Sequence, residues 1–515
     1  MTPRPSLLVP GTARTVRLSR LDWSLLAAAA LLAFAIRWSI RGAQPYTAEA
    51  AHYAMSLHLW HGTTNVGSLF ADVKPDTFSW FFWQRPLLCL LYWPAAALGG
   101  FPLYRASHIL VAALVPALAA TLLRHLGTRP AYAHGAAFVL AVHPILVPWG
   151  TLVLPDTTVC AFALAGLLAA HDGRPRLTAA LLLAGAWVKE TEFVTTVALL
   201  GLALLRDADG STLLSRRPRA GPFARWLAPA LVLSFVPLWV SVHALRGAMP
   251  GFRPGGDMLD TSQRLFLLLW LAPVPLLGLL SSRVRRLALV ALAWPAFFFV
   301  YHAVLGKAIE VWYNVVPATL VLVASAASLS ALPRDGPPAR RWAPAAVSLA
   351  LVGLLMVQVA VPQHDALNRA AATPLDHKGQ WDLRETLASE RGRDADLAAA
   401  LAFVPAGERG NWTALDMDYS LVMYPLAQVA RHVNKDFTPD WNMTDDAFRW
   451  WQDALENRSD ATFLVAPPTL LGRAMQEAYA PCAPTFGLYT VIVASKCRGE
   501  GSDLRDAWHR LHDGG

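Results

Sequence analysis

Long apolar runs separated by short arginine-rich segments fill the first 361 residues of the chain. A helix needs about 20 apolar residues to cross the hydrocarbon core of a bilayer. The first run, Trp23–Ile40, follows a basic leader, and its length favours an uncleaved anchor over a signal peptide. The pattern predicts eleven membrane-spanning helices, at Trp23–Ile40, Arg105–Leu123, Tyr132–Trp149, Thr157–Ala170, Leu177–Val188, Phe193–Leu205, Trp226–Leu245, Leu265–Leu280, Leu287–Leu305, Val311–Leu332 and Trp342–Val361.

A further apolar run, Pro86–Gly99, is too short for a full crossing and is predicted to be interfacial or re-entrant. Leaving it out of the count places the arginine clusters of the loops on the same side as the N-terminus, which the positive-inside rule assigns to the cytoplasm. Eleven crossings then put the C-terminus outside. The runs on either side of Lys189 are short for two crossings, so a tilted or shortened hairpin is expected there.

Charged residues return after about residue 362, and apolar segments alternate there with helical patterns. Buried strands are predicted at Ala461–Ala466 and Leu488–Ala494. The predicted organisation is a cytoplasmic basic segment at 1–22, a membrane domain at 23–361 with a long first external loop at 42–104, and an extracytoplasmic α/β domain at 362–515. Its linker is Pro362–Pro374, and its helices are predicted at Leu383–Phe403, Tyr419–Val433, Asp446–Glu456 and Leu470–Tyr479.

Composition agrees with a lipid environment, because 55% of the residues are hydrophobic and only 16% are charged. The net charge of +8 comes with arginines between apolar runs, so it indicates membrane topology and no nucleic-acid partner. Cys482 and Cys497 lie in the tail domain, where an extracytoplasmic location would allow them to form a disulfide.

Ionisable residues outside the arginine clusters gather on the predicted outer face. A charge at the centre of a bilayer costs about 2.5–3.5 kcal/mol on insertion scales, so these groups are expected to face one another or a water-filled cavity. Taken singly, each is better explained as a structural anchor at a helix end, and only their gathering on one face favours a functional role. The group consists of Glu49, Arg85, Asp156, Lys189, Glu190, Glu192, Lys307 and Glu310.

The first external loop contains a helical face formed by Glu49, His52, Tyr53, Ser56 and Trp60. Glu49 and His52 are spaced as two ligands of a metal ion could be, but no third ligand is evident. A divalent metal ion therefore stays open as a cofactor, and no other cofactor is indicated.

The order of these features resembles the GT-C glycosyltransferases, above all the protein mannosyltransferases and the bacterial aminoarabinose transferases. Pro45 to Tyr53 resembles the Asp-Glu-x-x-Tyr element of their first external loop, and Gln84 to Leu87 their juxtamembrane (His/Lys)-Pro-Pro-Leu element. His143-Pro144 with Gly150 to Asp156 resembles their Ser-Pro…Tyr-Gly-Arg-x-x-x-Pro-Asp stretch. Two further segments of this chain resemble family elements. Trp187 to Glu190 resembles the family's Leu-Thr-Lys turn, and Trp312 to Pro317 resembles its Arg-Tyr-x-x-x-Pro element.

The resemblance covers roughly residues 20–330 and implies a multi-pass cell-membrane enzyme that transfers a sugar, typically with inversion. The donor would be a polyprenyl-phosphate sugar, and the acceptor an extracytoplasmic lipid, glycan or protein. An acceptor hydroxyl needs a carboxylate, and a departing phosphate needs a cation. Glu49 and Asp156 are the candidate catalytic carboxylates, and Arg85 and Lys189 the candidate phosphate-binding cations. His52, Tyr53, Glu190 and Tyr313 are candidate supporting residues.

One departure from the family pattern bears on activity. The family's acidic residue before this Glu is replaced by Ala48, so Glu49 takes over its role, another residue supplies the base, or transfer activity has been lost. Two further hypotheses remain beside the enzyme. One is a transporter or flippase of lipid-linked sugars, although no inverted repeat is evident, and the other is a non-catalytic binding protein of the same fold.

Overall fold

A computed structural model describes most of the helical region and parts of the tail. The predicted span Trp342–Val361, the linker Pro362–Pro374 and Tyr313 lie outside the described residues. The structure describes residues 18–39, 41, 49, 52, 53, 56, 85–143, 146–204, 222–239, 273–281, 284–305, 314–331, 396, 398–405, 411–415, 432–436, 448, 461–465, 470–487, 489–500 and 502–513.

The first helix, α1, begins three residues earlier than its apolar run because polar residues cap it. The Asp22 N–H donates to Ser19 Oγ at 3.1 Å, and the Ser19 N–H donates to Asp22 Oδ2 at 2.9 Å, which is a reciprocal capping box. The described helices of this region are α1 Arg20–Ser39, α2 Pro86–His125, α3 Pro130–Val142, α4 Leu146–Trp149, α5 Pro155–His171, α6 Pro175–Val188, α7 Phe193–Leu204, α8 Pro222–Ser234, α9 Val236–Trp239, α10 Pro273–Leu279, α11 Arg285–Leu305 and α12 Val315–Ala331. A 3₁₀ turn, Glu190–Glu192, joins α6 to α7.

Helix α2 combines two predicted segments, the short run Pro86–Gly99 and the span Arg105–Leu123. It is kinked at Gly99 and Gly100, where the backbone leaves the helical region. Gly100 has φ 62° and ψ −158°, a conformation that is essentially restricted to glycine. The kink lets the first part of α2 take a direction of its own, and whether Pro86–Gly99 is interfacial stays a prediction.

The predicted helix Tyr132–Trp149 was wrong in its middle, because α3 ends at Val142 and α4 begins at Leu146. His143 adopts an extended conformation, φ −60° and ψ 127°, since the following residue is Pro144 and a residue before proline avoids the helical region. The predicted helix Trp226–Leu245 likewise begins earlier, at Pro222, and is interrupted by a turn at Phe235. Proline is favoured at a helix start, so the earlier beginning is physically reasonable.

The helices form a bundle with apolar side chains both inside and outside. Helix α5 packs between α2 and α6, α1 packs on α2 and α3, and α12 contacts α10 and α11. Among the described helices, α1 and α2 are long and apolar enough to cross a membrane. Many outward-facing residues are also large and apolar, including Leu31, Leu98, Leu110, Val232 and Trp239. A helical bundle with such an outer surface fits a lipid environment.

The described tail residues form a five-stranded mixed sheet in the order β2-β1-β3-β5-β4. Strand β1 pairs in parallel with β2 and β3, whereas β5 pairs antiparallel with β3 and β4. The strands are β1 Asn411–Leu415, β2 His432–Asp436, β3 Ala461–Val465, β4 Thr485–Phe486 and β5 Tyr489–Val493, and the helices are α13 Leu470–Ala478, α14 Ala494–Cys497 and α15 Leu504–Asp513. Helices α13 and α15 pack together over this sheet around Met475, Ile492 and Trp508.

Strands β3 and β5 and helix α13 lie where the sequence pattern predicts them, within one residue at each end. The predicted helix Tyr419–Val433 was wrong at its end, because His432 and Val433 belong to β2. A parallel partner, β1, holds these residues extended, and the local pattern does not contain that partner. Cys482 and Cys497 form a disulfide, with their Cα atoms 5.2 Å apart.

Candidate functional site

The carboxylate of Glu49 is held by Arg105 at the start of the second half of α2. Arg105 Nε donates to Glu49 Oε1 at 3.0 Å and Arg105 Nη2 to Oε2 at 2.5 Å, a bidentate ion pair. The backbone N–H of Val153 donates to Oε1 at 2.8 Å. Glu49 is fully buried and Arg105 is 2% exposed. Glu49 therefore fastens the first loop both to α2 and to the segment before α5.

His52 and Arg85 form a second polar contact beside this pair. Arg85 Nη1 lies 3.1 Å from His52 Nε2, which can accept this hydrogen bond only when the imidazole is neutral. Burial lowers the pKa of His52 well below its ordinary value, and the positive charges of Arg85 and Lys189 act in the same direction. Neutral His52 thus orients the Arg85 guanidinium, and both cations lie within electrostatic range of it.

Tyr53 and Ser56 anchor the same loop segment to α2. The ring of Tyr53 contacts Phe101 and Tyr104 edge-on, with both centroid distances 5.2 Å, directly after the α2 kink. Ser56 Oγ lies 3.2 Å from the Cys89 carbonyl oxygen in the first part of α2. Glu49, His52, Tyr53 and Ser56 are helical and almost completely buried, as the helical face expected from the sequence requires, and Trp60 lies outside the described residues.

Asp156 and Lys189 form a second deeply buried ion pair at this end of the bundle. Lys189 Nζ donates to Asp156 Oδ1 at 2.6 Å, and the two side chains are 1% and 2% exposed. Asp156 is the second residue of α5, after Pro155, where the helix dipole favours a negative charge. Its second oxygen, Oδ2, is buried without a hydrogen-bond partner among the described residues. This oxygen keeps the capacity to accept a further hydrogen bond.

The turn that carries Lys189 also contains Glu190 and Glu192. Helices α6 and α7 have 14 and 12 residues, which at about 1.5 Å per residue are shorter than a bilayer core of about 30 Å. A short hairpin recesses its turn into the protein, and Lys189 and Glu192 are accordingly buried. Glu190 is half-buried. The sequence expectation of a shortened hairpin agrees with these lengths.

Two arginines at this end escaped the sequence analysis because each lies inside an apolar run. Arg105 was counted only as the start of a span, yet it is the partner of Glu49. Arg37 is buried in α1, and its guanidinium donates to the carbonyl oxygens of Ala33, Ala141 and Leu146 at 2.9–3.2 Å. An ionisable residue within a span is the signal that would have singled out both.

Close packing around position 150 explains why the Gly150–Asp156 motif begins with a glycine. A Cβ on Gly150 would lie 2.6 Å from Arg37 Nε and 3.2 Å from the Ala112 Cβ. The chain can pass between α1 and α2 here only without a side chain. Gly150 thereby places the following residues so that the Val153 N–H meets Glu49 and Asp156 meets Lys189.

The structure thus brings Glu49, His52, Arg85, Asp156 and Lys189 to one end of the bundle, with Tyr53 and Glu190 next to them. Tyr313 lies outside the described residues. Among the described residues, Arg105 and Val153 donate to the carboxylate oxygens of Glu49, and Arg85 contacts Nε2 of His52, so both side chains already have polar partners. Asp156 Oδ2 is a carboxylate oxygen without a hydrogen-bond partner among the described residues, and its side chain pairs with the buried Lys189 cation, an arrangement that suits proton removal beside a developing anion.

No protein-family model matches the chain, and no curated protein matches its sequence. Solved structures do match. The chain resembles the crystal structure of ArnT from Cupriavidus metallidurans bound to undecaprenyl phosphate, with a TM-score of 0.51 and 16% identity over 92% of this chain and 98% of that one. The apo structure of the same protein gives a TM-score of 0.56 and 15% identity, over 93% and 98% of the two chains.

ArnT is an aminoarabinose transferase of the GT-C type. The match extends over nearly the whole of both chains, so it includes the helical bundle and the tail. The chain therefore shares the fold of that protein over nearly the whole length of both chains, as the resemblance carried by its motifs leads one to expect.

Proposed function

We propose that the protein is a membrane glycosyltransferase that moves a sugar from a polyprenyl-phosphate donor to an extracytoplasmic lipid, glycan or protein. The observation that carries the proposal is the buried pair of Asp156 and Lys189, in which Asp156 Oδ2 lacks a partner among the described residues. The matched ArnT structure, which contains undecaprenyl phosphate, supports the donor class.

In this mechanism Asp156 Oδ2 accepts the proton of the acceptor hydroxyl as its oxygen attacks the anomeric carbon of the sugar. The new glycosidic bond forms while the bond from the anomeric carbon to the phosphate oxygen breaks. The electron pair of that bond leaves with the polyprenyl phosphate, and the configuration inverts. Lys189 and Arg85 stabilise the negative charge that collects on the leaving phosphate.

We assign Glu49 a positioning part in this mechanism. Both of its oxygens accept hydrogen bonds in the structure, so it would have to exchange Arg105 or Val153 before it could take a proton. Asp156 has no such requirement. This assignment also accounts for Ala48, because a base supplied by α5 makes an acidic residue at position 48 dispensable.

We further propose eleven crossings of the cell membrane, a cytoplasmic N-terminus, and an extracytoplasmic tail domain. The arginine clusters between the spans support this orientation. The disulfide between Cys482 and Cys497 supports an oxidising compartment for the tail.

The test is transfer of labelled sugar by the purified full-length protein, with a panel of polyprenyl-phosphate sugars and extracytoplasmic acceptors. We expect Asp156→Asn to lower the turnover by about 10²–10⁴-fold because the base is lost. Lys189→Met should lower it by about 10²–10³-fold because the phosphate loses its cation. Glu477→Gln, which alters an exposed ion pair in α13, serves as the control and should leave transfer unchanged.

Undiminished transfer by Asp156→Asn would contradict the assignment of the base. Movement of the lipid-linked sugar across liposomes without any transfer would instead favour a flippase. If only Ala48→Asp were active, the wild-type protein would be a non-catalytic member of the fold.

A further inference from the structure

Three side chains of types that can bind metal ions meet at the end of the bundle opposite the candidate site. His125 is the last residue of α2, and His171 and Asp172 end α5. One ligand atom from each lies within 4.8 Å of the others. Fifteen residues of α5 separate His171 from Asp156, a distance of about 22 Å along the helix. The cluster is therefore independent of the proposed transferase chemistry.

The buried member of the cluster, His171, has an unusual environment. Its side chain is almost fully buried, yet neither ring nitrogen has a hydrogen-bond partner among the described residues. Buried polar atoms in native proteins are nearly always paired. A metal ion bound by one of these nitrogens would supply the missing interaction and would point the ring into the cluster.

The spacing of the other two members fits one metal ion. His125 Nδ1 and Asp172 Oδ1 lie 3.4 Å apart. Two ligands of a tetrahedral zinc ion are about 3.3 Å apart, given bond lengths of about 2.0–2.1 Å. The His171 ring lies across from the His125 ring, with centroids 6.1 Å apart and planes at 65°. A small rotation of the His171 side chain would complete the set.

We propose that His125, His171 and Asp172 bind a zinc ion that joins the ends of α2 and α5. Two imidazoles and one carboxylate are a common zinc ligand set, with water in the fourth position. The His125 and Asp172 side chains are 13% and 18% exposed, which leaves a route for the ion and room for the water. The ion clamps the two helices whose other ends carry Arg85 and Asp156.

The experiment uses full-length protein in detergent, purified without a histidine tag, stripped with a chelator, incubated with Zn²⁺ and desalted. We expect about one zinc per chain by mass spectrometry of the metal, and a tetrahedral visible absorption spectrum when Co²⁺ replaces Zn²⁺. Zn²⁺ should also raise the unfolding temperature of the stripped protein, since it binds the folded state.

Two variants remove single ligands with little change of shape, His171→Phe and Asp172→Asn. Each should bind zinc at least about ten-fold more weakly. The control His509→Ala removes an exposed histidine from α15 and should keep full binding. Failure of the wild-type protein to retain zinc, or retention by both ligand variants equal to wild type, would overturn the proposal. Either result leaves the proposed transferase function untouched.

Discussion

The ion pair between Glu49 and Arg105 predicts a specific pattern of stability changes. Arg105→Met removes the cation, and Glu49→Gln removes the anion. The double variant removes both charges together. Because the pair is buried and bidentate, each single change leaves one charge without its partner in a site closed to water.

The expected loss of stability follows from the hydrogen bonds that each substitution removes. Arg105→Met deletes two charge-assisted hydrogen bonds to Glu49, whereas the bond from the Val153 N–H remains. Breaking a buried pair in this way costs about 3–5 kcal/mol, between about two and four powers of ten in the folding equilibrium. In the double variant the amide oxygen of Gln still accepts from Val153 and no charge is buried, so we expect a coupling free energy of about 1.5–3 kcal/mol.

The assay is unfolding of purified protein in lipid nanodiscs, followed by tryptophan fluorescence during a denaturant titration. Arg510→Met is the matched control, because Arg510 pairs with Glu477 at the surface, where the two side chains are 57% and 41% exposed. An exposed pair of this kind contributes less than about 1 kcal/mol.

The reasoning would be refuted by either of two results. The first is a free energy of unfolding for Arg105→Met within about 1 kcal/mol of wild type, no larger than the change expected for the control. The second is strict additivity of the two single changes, which would mean that the charges do not interact.

Two further predictions concern the glycine at the kink of α2 and the disulfide of the tail. Gly100→Ala should destabilise the protein by about 1–3 kcal/mol in the same unfolding assay, because a φ of 62° and a ψ of −158° are strained for alanine. The control is Gly135→Ala, which lies inside α3 with open space around it and should be neutral or stabilising. Replacing Cys482 and Cys497 with alanine should lower the stability of the tail by about 3 kcal/mol, because the disulfide closes a 15-residue loop. The loss is measured as faster proteolysis of the tail, and protease resistance equal to that of the wild-type protein would contradict the prediction.

The sequence allowed good prediction of features with a local signal. Helix α5 and strand β3 coincide with their apolar runs to within two residues, because apolar periodicity and helix or strand formation depend on the same neighbours. The face of Glu49, His52 and Tyr53 was also predictable, since positions three and four apart share one side of a helix.

Features that depend on distant partners could not be predicted. Strand β2 is rich in polar residues and is extended because it pairs in parallel with β1. The engagement of Glu49 by Arg105 joins residues 56 positions apart. From the sequence Glu49 is simply an available carboxylate, and only the fold shows that both of its oxygens are occupied.

The contacts of Arg37 bear on how the bundle is assembled. Its guanidinium binds the Ala141 and Leu146 carbonyl oxygens, which follow it by 104 and 109 positions in the chain. In the proposed topology, α1 enters the bilayer before these acceptors have been synthesised, and the Arg37 side chain must then extend toward the membrane surface. It can turn inward only after α3 and α4 have been inserted. The first helix therefore reaches its final place late, although it is made first.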